Sequence, residues 1–190
     1  MKIGSHNSWS YLKPRKWWMR IFNFMSKCQD VDIETQYEDY NVRCFDLRVR
    51  FEGSTIFIAH GMTEYDMAEE VLFNILAYLN KKGDCAVRVL LECRTKKPDN
   101  AQLESFTNFC YFVERYFDAI KFWCGRSLYD WTIVYDFKYK PSCEEKYSSV
   151  CKPKWVDDWW PRLYAKRKNK EILKEGTDKD YLLIDFVNYS

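Results

Sequence analysis

The sequence predicts an α/β protein with a mainly parallel sheet. Short apolar runs typical of buried strands recur along the chain, segments with helical spacing of apolar residues separate them, and the two alternate to the end. No internal repeat, low-complexity segment or linker divides the sequence, so residues 1–190 are expected to form a single domain. A closed barrel of eight regular βα units takes about 250 residues. The length of 190 residues therefore favours a small, distorted or incomplete TIM-type (β/α) barrel.

The predicted elements follow in order from the N-terminus. Residues 2–5 form a short strand, residues 30–40 a short helix, and residues 42–61 two strands joined by a turn at Glu52-Gly53. A helix at 66–82, ending at Gly83, a strand at 85–93 and a helix from 98 to about 117 are predicted next. Strands at 120–124 and 131–137 and a polar loop at 141–154 follow. The chain is then predicted to be partly helical at 155–174, with an interruption at Pro161, and to end in a strand at 181–187.

Charge and hydropathy exclude several classes of protein. The chain has 30 basic and 28 acidic residues, a balance that argues against nucleic acid as a partner. No run is long and apolar enough to span a bilayer, and the first ten residues lack the apolar core of a signal peptide. As written, the chain is expected to be intracellular or peripheral to a membrane, unless an export segment is absent from this sequence.

The cysteine pattern gives little support to a metal centre. None of the eight cysteines has C-x-x-C spacing, and only two histidines are present, so a zinc site has little support. Cysteines inside apolar runs are expected to be buried thiols. Cys143 and Cys151 flank a polar loop and could pair in an oxidising compartment.

Both histidines follow short predicted strands. His6 lies in Ser-His-Asn-Ser, His60 lies in Ala-His-Gly, and Asp46 and Arg48 lie between them on alternate positions of one strand. Imidazole titrates near neutral pH, so two of them can act as base and acid in one turnover. A guanidinium suits a phosphate oxyanion. This set of groups predicts phosphoryl transfer without a metal.

Several motifs together resemble one known family. The segments GSHNS at 4–8, VRCFDLRVR at 42–50 and IAHG at 58–61, with Gln36 before the second, resemble the catalytic X-domain of phosphatidylinositol-specific phospholipases C. VLLEC at 89–93 and LLIDF at 182–186 are similar to later strands of that domain, so the resemblance covers nearly the whole chain. It implies a lyase-type phosphodiesterase that converts phosphatidylinositol, or a similar phospholipid, into diacylglycerol and an inositol cyclic phosphate. It also implies a monomer at a peripheral membrane surface.

The resemblance implies a role for each of five catalytic residues. His6 would be the general base that deprotonates the inositol 2-hydroxyl, and Asp185 would hold its tautomer. Arg48 would stabilise the non-bridging phosphate oxygens. His60 would protonate the departing diacylglycerol oxygen. Asp46 would orient or polarise His60 and Arg48.

Arg48 decides which branch of the family the chain resembles. Calcium-dependent members carry an acid at this position, so a guanidinium indicates the bacterial, metal-independent type that needs no cofactor. Asn7 departs from that type, which usually has Asp there and uses it to assist the acid histidine. The alternative is a Ca²⁺ ion held by Asn7, Asp46 and Glu92, which would require Arg48 to swing away.

Substrate and membrane contacts are also implied. The headgroup is expected to contact Asn7, Glu92, Arg94, Lys138 and Tyr139. Two aromatic pairs with basic neighbours are expected to contact the membrane, or else to pack inward: Trp17 with Trp18, and Trp159 with Trp160.

Two alternative functions remain open at this point. The chain could cleave a phosphodiester with another headgroup, which a panel of headgroups would reveal. It could also be a catalytically weak module that binds lipid or phosphosugar. Asn7 and the lack of a recognisable aromatic platform for inositol are the features that favour the binding module.

Overall fold

A mixed sheet curled into a half-barrel organises the protein. The computed structural model describes residues 1–93, 97–128, 133–134, 147–149, 160–176 and 178–190. The strands are β1 Lys2–Ser5, β2 Val42–Glu52, β3 Thr55–His60, β4 Thr63–Tyr65, β5 Ala86–Glu92, β6 Lys121–Ser127, β7 Ile133–Val134, β8 Tyr147–Ser149 and β9 Tyr181–Ile184. Seven of them follow the order β7-β6-β5-β2-β1-β9-β8, and β3 and β4 extend from β2.

The α/β class is confirmed, but the prediction of a TIM-type barrel is wrong. Strands β6, β5, β2, β1, β9 and β8 pair in parallel, as a barrel requires. However, β3 runs antiparallel to β2, and β7 runs antiparallel to β6. Regular strand–helix–strand alternation is therefore interrupted by β3 and β4 after β2, and again at β7, which pairs antiparallel with β6. Within the described residues, the row of strands ends at β7 on one side and β8 on the other.

The first and last strands of the chain are neighbours. β1 pairs in parallel with β2 on one side and with β9 on the other, so that Gly4 lies between Cys44 and Leu183. A Cβ atom at position 4 would collide with the Leu183 side chain, so glycine permits this close packing. The register pairs Ser5 with Ile184, so the carboxyl ends of β1 and β9 lie side by side.

The sheet has an apolar outer face and a partly polar inner face. On β2, Phe45, Leu47 and Val49 belong to the main buried cluster, together with side chains of the flanking helices. Cys44 belongs to a second cluster with Ala86, Trp123, Tyr181 and Leu183. Because alternate residues of a strand point to opposite faces, the Cys44 face of β2 also carries Asp46 and Arg48. The predicted separation of polar and apolar residues on this strand is thus present.

Five helices flank the sheet in the described part of the chain. They are α1 Met19–Ser26, α2 Ile33–Glu38, α3 Glu69–Lys82, α4 Asn100–Tyr116 and α5 Pro161–Glu175, and a short 3-10 turn follows at Val187–Tyr189. Gly83 ends α3 in the left-handed conformation, as its position predicted. None of the helices in the described part of the chain has the length and apolar character needed to cross a bilayer.

Three details of the predicted elements are wrong. Pro161 begins α5 rather than interrupting a helix, because the missing N–H of proline costs nothing in the first helical turn. The last strand ends at Ile184, so Asp185 lies just beyond it. A short strand, β8, lies within the predicted polar loop.

Candidate active site

The candidate active site gathers side chains from the ends of several strands. His6 follows β1, Asp185 follows β9, and Glu92 ends β5. Asp46 and Arg48 come from the middle of β2. Parallel strands place their carboxyl ends at one edge of a sheet, so residues far apart in sequence meet there.

Two hydrogen bonds determine which ring nitrogen of His6 carries the proton. Its Nδ1 lies 2.8 Å from Asp185 Oδ1, and its Nε2 lies 2.8 Å from Nη2 of Arg48. A guanidinium can only donate hydrogen bonds, so Nε2 must be the acceptor and carry the lone pair. The proton therefore lies on Nδ1 and is donated to the Asp185 carboxylate. This is the neutral tautomer that a general base needs.

Asp46 is a fully buried carboxylate surrounded by donors. It accepts hydrogen bonds from Arg88 Nε at 2.9 Å, Arg48 Nε at 3.2 Å and the Asn7 backbone N–H at 3.1 Å. Burial raises the pKa of Asp46, but the Arg88 and Arg48 guanidiniums outweigh burial and hold that pKa well below its usual value. Asp46 is therefore a permanent negative charge beneath the site.

Arg48 is a buried cation held between two carboxylates. Besides Asp46, it contacts Glu92, whose Oε2 lies 3.5 Å from Nη1. Burial lowers the pKa of Arg48, but Asp46 and Glu92 more than compensate and raise it. The guanidinium thus occupies the position between the two acids that the Ca²⁺ alternative would use. Calcium would have to displace Arg48 and break both ion pairs.

His60 is held by the end of α1. Its Nδ1 lies 3.0 Å from the Ser26 carbonyl oxygen, so this nitrogen donates. The same oxygen accepts from Tyr65 Oη at 3.0 Å and from Asn7 Nδ2 at 3.4 Å. The His60 and His6 rings lie with their centroids 5.9 Å apart and their planes at 87°. The two imidazoles therefore lie close together in an edge-to-face arrangement.

Asn7 adopts an unusual backbone conformation, with φ at 44°. Asparagine tolerates this left-handed region better than most residues. The conformation lets the Asn7 backbone N–H bind Asp46. Its side-chain Oδ1 is buried and has no hydrogen-bond partner among the described residues. An unsatisfied buried acceptor is uncommon.

Sequence reasoning missed several residues that support the site. Arg88 pairs with Asp46, and the signal for it was a single charge inside the apolar run of β5. Gln29 Nε2 donates to the backbone carbonyls of His6 and Ile184, at 3.0 Å each. Gln29 thereby ties the ends of β1 and β9 together, and no local pattern marks it. Gln36, which the family resemblance included, donates to the Ser8 carbonyl at 2.9 Å.

Part of the predicted binding surface cannot be placed. Arg94, Lys138, Tyr139 and Trp159 lie outside the described residues. Trp17, Trp18 and Trp160 are exposed, and Trp17 has 73% of its surface accessible. The alternative that these three tryptophans pack into the core is therefore wrong.

Comparison with known proteins returned no relative for this chain. Neither the models of known protein families nor the sequences of curated proteins match it. The arrangement of the site itself therefore carries the functional argument.

Proposed function

We propose that the protein is a metal-independent phosphodiesterase of the phosphatidylinositol-specific phospholipase C type. One observation carries the proposal: the lone pair on His6 Nε2 lies beside the Arg48 guanidinium, and the ring centroid of the second imidazole, His60, lies 5.9 Å from that of His6. A base, an acid and an oxyanion stabiliser are thus within reach of one phosphodiester. The preferred substrate is phosphatidylinositol or a similar phospholipid.

His6 is suited to the first proton transfer. A substrate hydroxyl that replaces the Arg48 N–H at Nε2 would meet the same lone pair. When His6 takes the hydroxyl proton, it becomes an imidazolium, and the Asp185 carboxylate at 2.8 Å stabilises the new charge. The resulting alkoxide attacks phosphorus within the same molecule, which forms the cyclic phosphate.

Arg48 is suited to the charge that develops on phosphate. A guanidinium has five N–H groups, and Asp46, Glu92 and His6 engage one nitrogen each. N–H groups therefore remain for the non-bridging oxygens of a phosphate. Because two carboxylates fix the guanidinium before substrate arrives, little reorganisation is needed as charge builds.

His60 is suited to protonate the leaving oxygen. Its Nδ1–H donates to the Ser26 carbonyl in both protonation states of the ring, so this bond fixes the orientation of the ring, and Nε2 would take the acid role. Transfer of the Nε2 proton to the glycerol oxygen would release diacylglycerol. His6 then releases its proton to solvent and His60 takes one up from solvent, which completes the cycle.

An exposed aromatic surface beside the site suits a lipid interface. We name it the α1 aromatic patch, and it consists of Trp17, Trp18, Ile21, Phe22, Phe24 and Trp160. Phe24 stacks on Trp160 at 4.8 Å between ring centroids, which joins α1 to the start of α5. Exposed basic residues lie near it in the sequence, at positions 13, 15, 16 and 20. Rings at headgroup level and cations on lipid phosphate are typical of peripheral membrane proteins. Because α1 ends at Ser26, which contacts His60, a bound membrane would lie close to the site.

The test is turnover of phosphatidylinositol in mixed micelles, with and without a chelator. Wild type is expected to be equally active in both conditions. His6→Ala, His60→Ala and Arg48→Ala are each expected to lose about 10²–10⁴-fold in kcat. Arg43→Ala is the matched control, because Arg43 forms its ion pair with Asp84, a surface carboxylate away from the site. Full activity in His6→Ala, or loss of wild-type activity in chelator, would overturn the proposal. A panel of other headgroups identifies the substrate if phosphatidylinositol is a poor one.

A further inference from the structure

A buried thiol lies against the candidate catalytic base. Cys28 Sγ, a His6 ring nitrogen and an Asp185 carboxylate oxygen lie within 4.8 Å of one another. Cys28 and Asp185 are buried, whereas His6 is partly exposed and gives solvent access. The mechanism proposed above makes no use of the thiol.

We propose that Cys28, His6 and Asp185 bind a zinc ion, and that the bound ion switches off the base. Zinc prefers thiolate, imidazole and carboxylate ligands at about 2.0–2.3 Å, in a tetrahedral arrangement. That geometry separates the donor atoms by roughly 3.3–3.7 Å. The three donors here need movements of only about 1 Å to reach it, and water supplies the fourth ligand.

The backbone around the three ligands is already fixed. The Cys28 N–H donates to Ser10 Oγ at 2.8 Å, and the Cys28 carbonyl accepts from the Phe186 N–H. Gln29 bonds the His6 and Ile184 carbonyls. Each ligand therefore belongs to a segment that is cross-linked to the other two. A preformed frame of this kind lowers the entropy lost when an ion binds.

The charges of the three ligands match a divalent ion. A thiolate and a carboxylate neutralise Zn²⁺, and the imidazole binds in its neutral form. The Cys28 thiol proton is released to solvent when the sulfur binds the ion. Sulfur also gives preference to zinc over Ca²⁺ or Mg²⁺, which favour oxygen ligands.

Zinc bound here would remove the lone pair that the base needs. If the ion binds Nε2, the lone pair is in the metal bond. If it binds Nδ1, the neutral ring carries its proton on Nε2. Binding at Nδ1 also breaks the hydrogen bond from His6 to Asp185. This inhibitory effect rests on the proposed function, whereas the binding of zinc does not.

Cobalt spectroscopy tests the metal site directly. Co²⁺ replaces zinc in tetrahedral sites and gives visible bands and a thiolate charge-transfer band, both absent for Zn²⁺. The experiment uses the full chain with Cys143→Ser and Cys151→Ser, which lie outside the described residues. We expect one equivalent of Co²⁺ to produce the thiolate band and Zn²⁺ to abolish it by displacement.

Variants identify the ligands. Cys28→Ala should lose the thiolate band and weaken binding by more than the roughly 10–100-fold that loss of an outer-shell partner costs. Cys85→Ala is the matched control, because Cys85 is also buried but lies beside Asp84 at the start of β5. His6→Ala should also weaken binding, and its partly exposed position makes it the second test if Cys28→Ala fails to fold. A missing band in the parent chain, or an unchanged band in either variant, would overturn the metal site.

An activity measurement separates the two proposals. Micromolar Zn²⁺ should inhibit turnover, a chelator should restore it, and Cys28→Ala should remain active with more than tenfold lower sensitivity to zinc. A thiolate band without turnover of any phosphodiester would overturn the proposed function and leave the metal site standing. Turnover without a band would overturn only the metal site.

Discussion

Asp46→Asn would test how far the buried charges beneath the site support the fold. The substitution keeps the size of the side chain but removes its negative charge. Asp46 is fully buried and accepts from Arg88 at 2.9 Å and from Arg48 at 3.2 Å. Without the carboxylate, Arg88 would lose the negative charge that its buried guanidinium now faces.

The expected loss of stability is large. Removing one partner from a buried ion pair costs about 3–5 kcal/mol, because the other charge stays buried without compensation. For a chain of this length, 1 kcal/mol shifts Tm by about 2–4 °C. The product of the two ranges is a fall in Tm of about 6–20 °C.

The assay is thermal and urea unfolding of both variants beside wild type. Asp84→Asn is the matched control: Arg43 Nε lies 2.9 Å from Asp84 Oδ2, the same distance as in the Arg88–Asp46 pair. The side chain of Asp84 is 46% exposed, so its loss should cost only about 0–1 kcal/mol. Equal losses of stability in the two variants would refute the argument that burial makes the Asp46 pairs important.

Three further predictions concern pH, the base and the membrane. Because Arg88 and Arg48 outweigh burial and hold the pKa of Asp46 below its ordinary 3.8, its ion pairs stabilise the protein above about pH 4. Stability should fall as pH drops below that value, and urea midpoints should show a flatter dependence in Asp46→Asn; equal slopes would contradict this. Asp185→Asn should lower kcat by up to about 10⁴-fold without unfolding, by analogy with the acid of a serine protease triad; an unchanged kcat would remove the role of Asp185. Trp17→Ala with Trp18→Ala should weaken sedimentation with anionic vesicles at least about tenfold, since burying one large apolar side chain contributes about 1.5–3 kcal/mol. Turnover of a water-soluble phosphodiester should not change in this double variant. Unaltered vesicle binding would show that the α1 aromatic patch is not the membrane contact.

The sequence predicted the elements better than their assembly. Strict alternation over residues 42–50 was sufficient to place Asp46 and Arg48 on one face of a strand. Gly83 marked the end of α3 because few other residues adopt its φ of 74° at no cost. Closure of the sheet depends instead on how the chain continues after Ser127. The next described strand, β7, pairs antiparallel with β6, and the periodicity of β6 gives no signal for that direction.

The candidate site was predictable where residues sit in motifs and strands. His6 and Asp185 lie 179 positions apart, and the family resemblance, not their spacing, suggested their contact. In the sequence, Arg88 is only one charge within an apolar run. Its role as the ion-pair partner of Asp46 follows from the strand register, which places the two residues opposite each other. Cys28 and Gln29 belong to a loop, so their contacts follow from tertiary packing alone.

Phosphorus NMR of the first product tests the central claim most directly. In the proposed reaction, His6 and His60 cleave phosphatidylinositol by attack of its own hydroxyl, with Arg48 in place of a metal. In the presence of a chelator, wild type should produce an inositol cyclic phosphate resonance together with diacylglycerol, and His6→Ala should produce neither. A folded wild-type protein that releases only a phosphomonoester, or a His6→Ala variant that forms the cyclic product at the wild-type rate, would contradict the account.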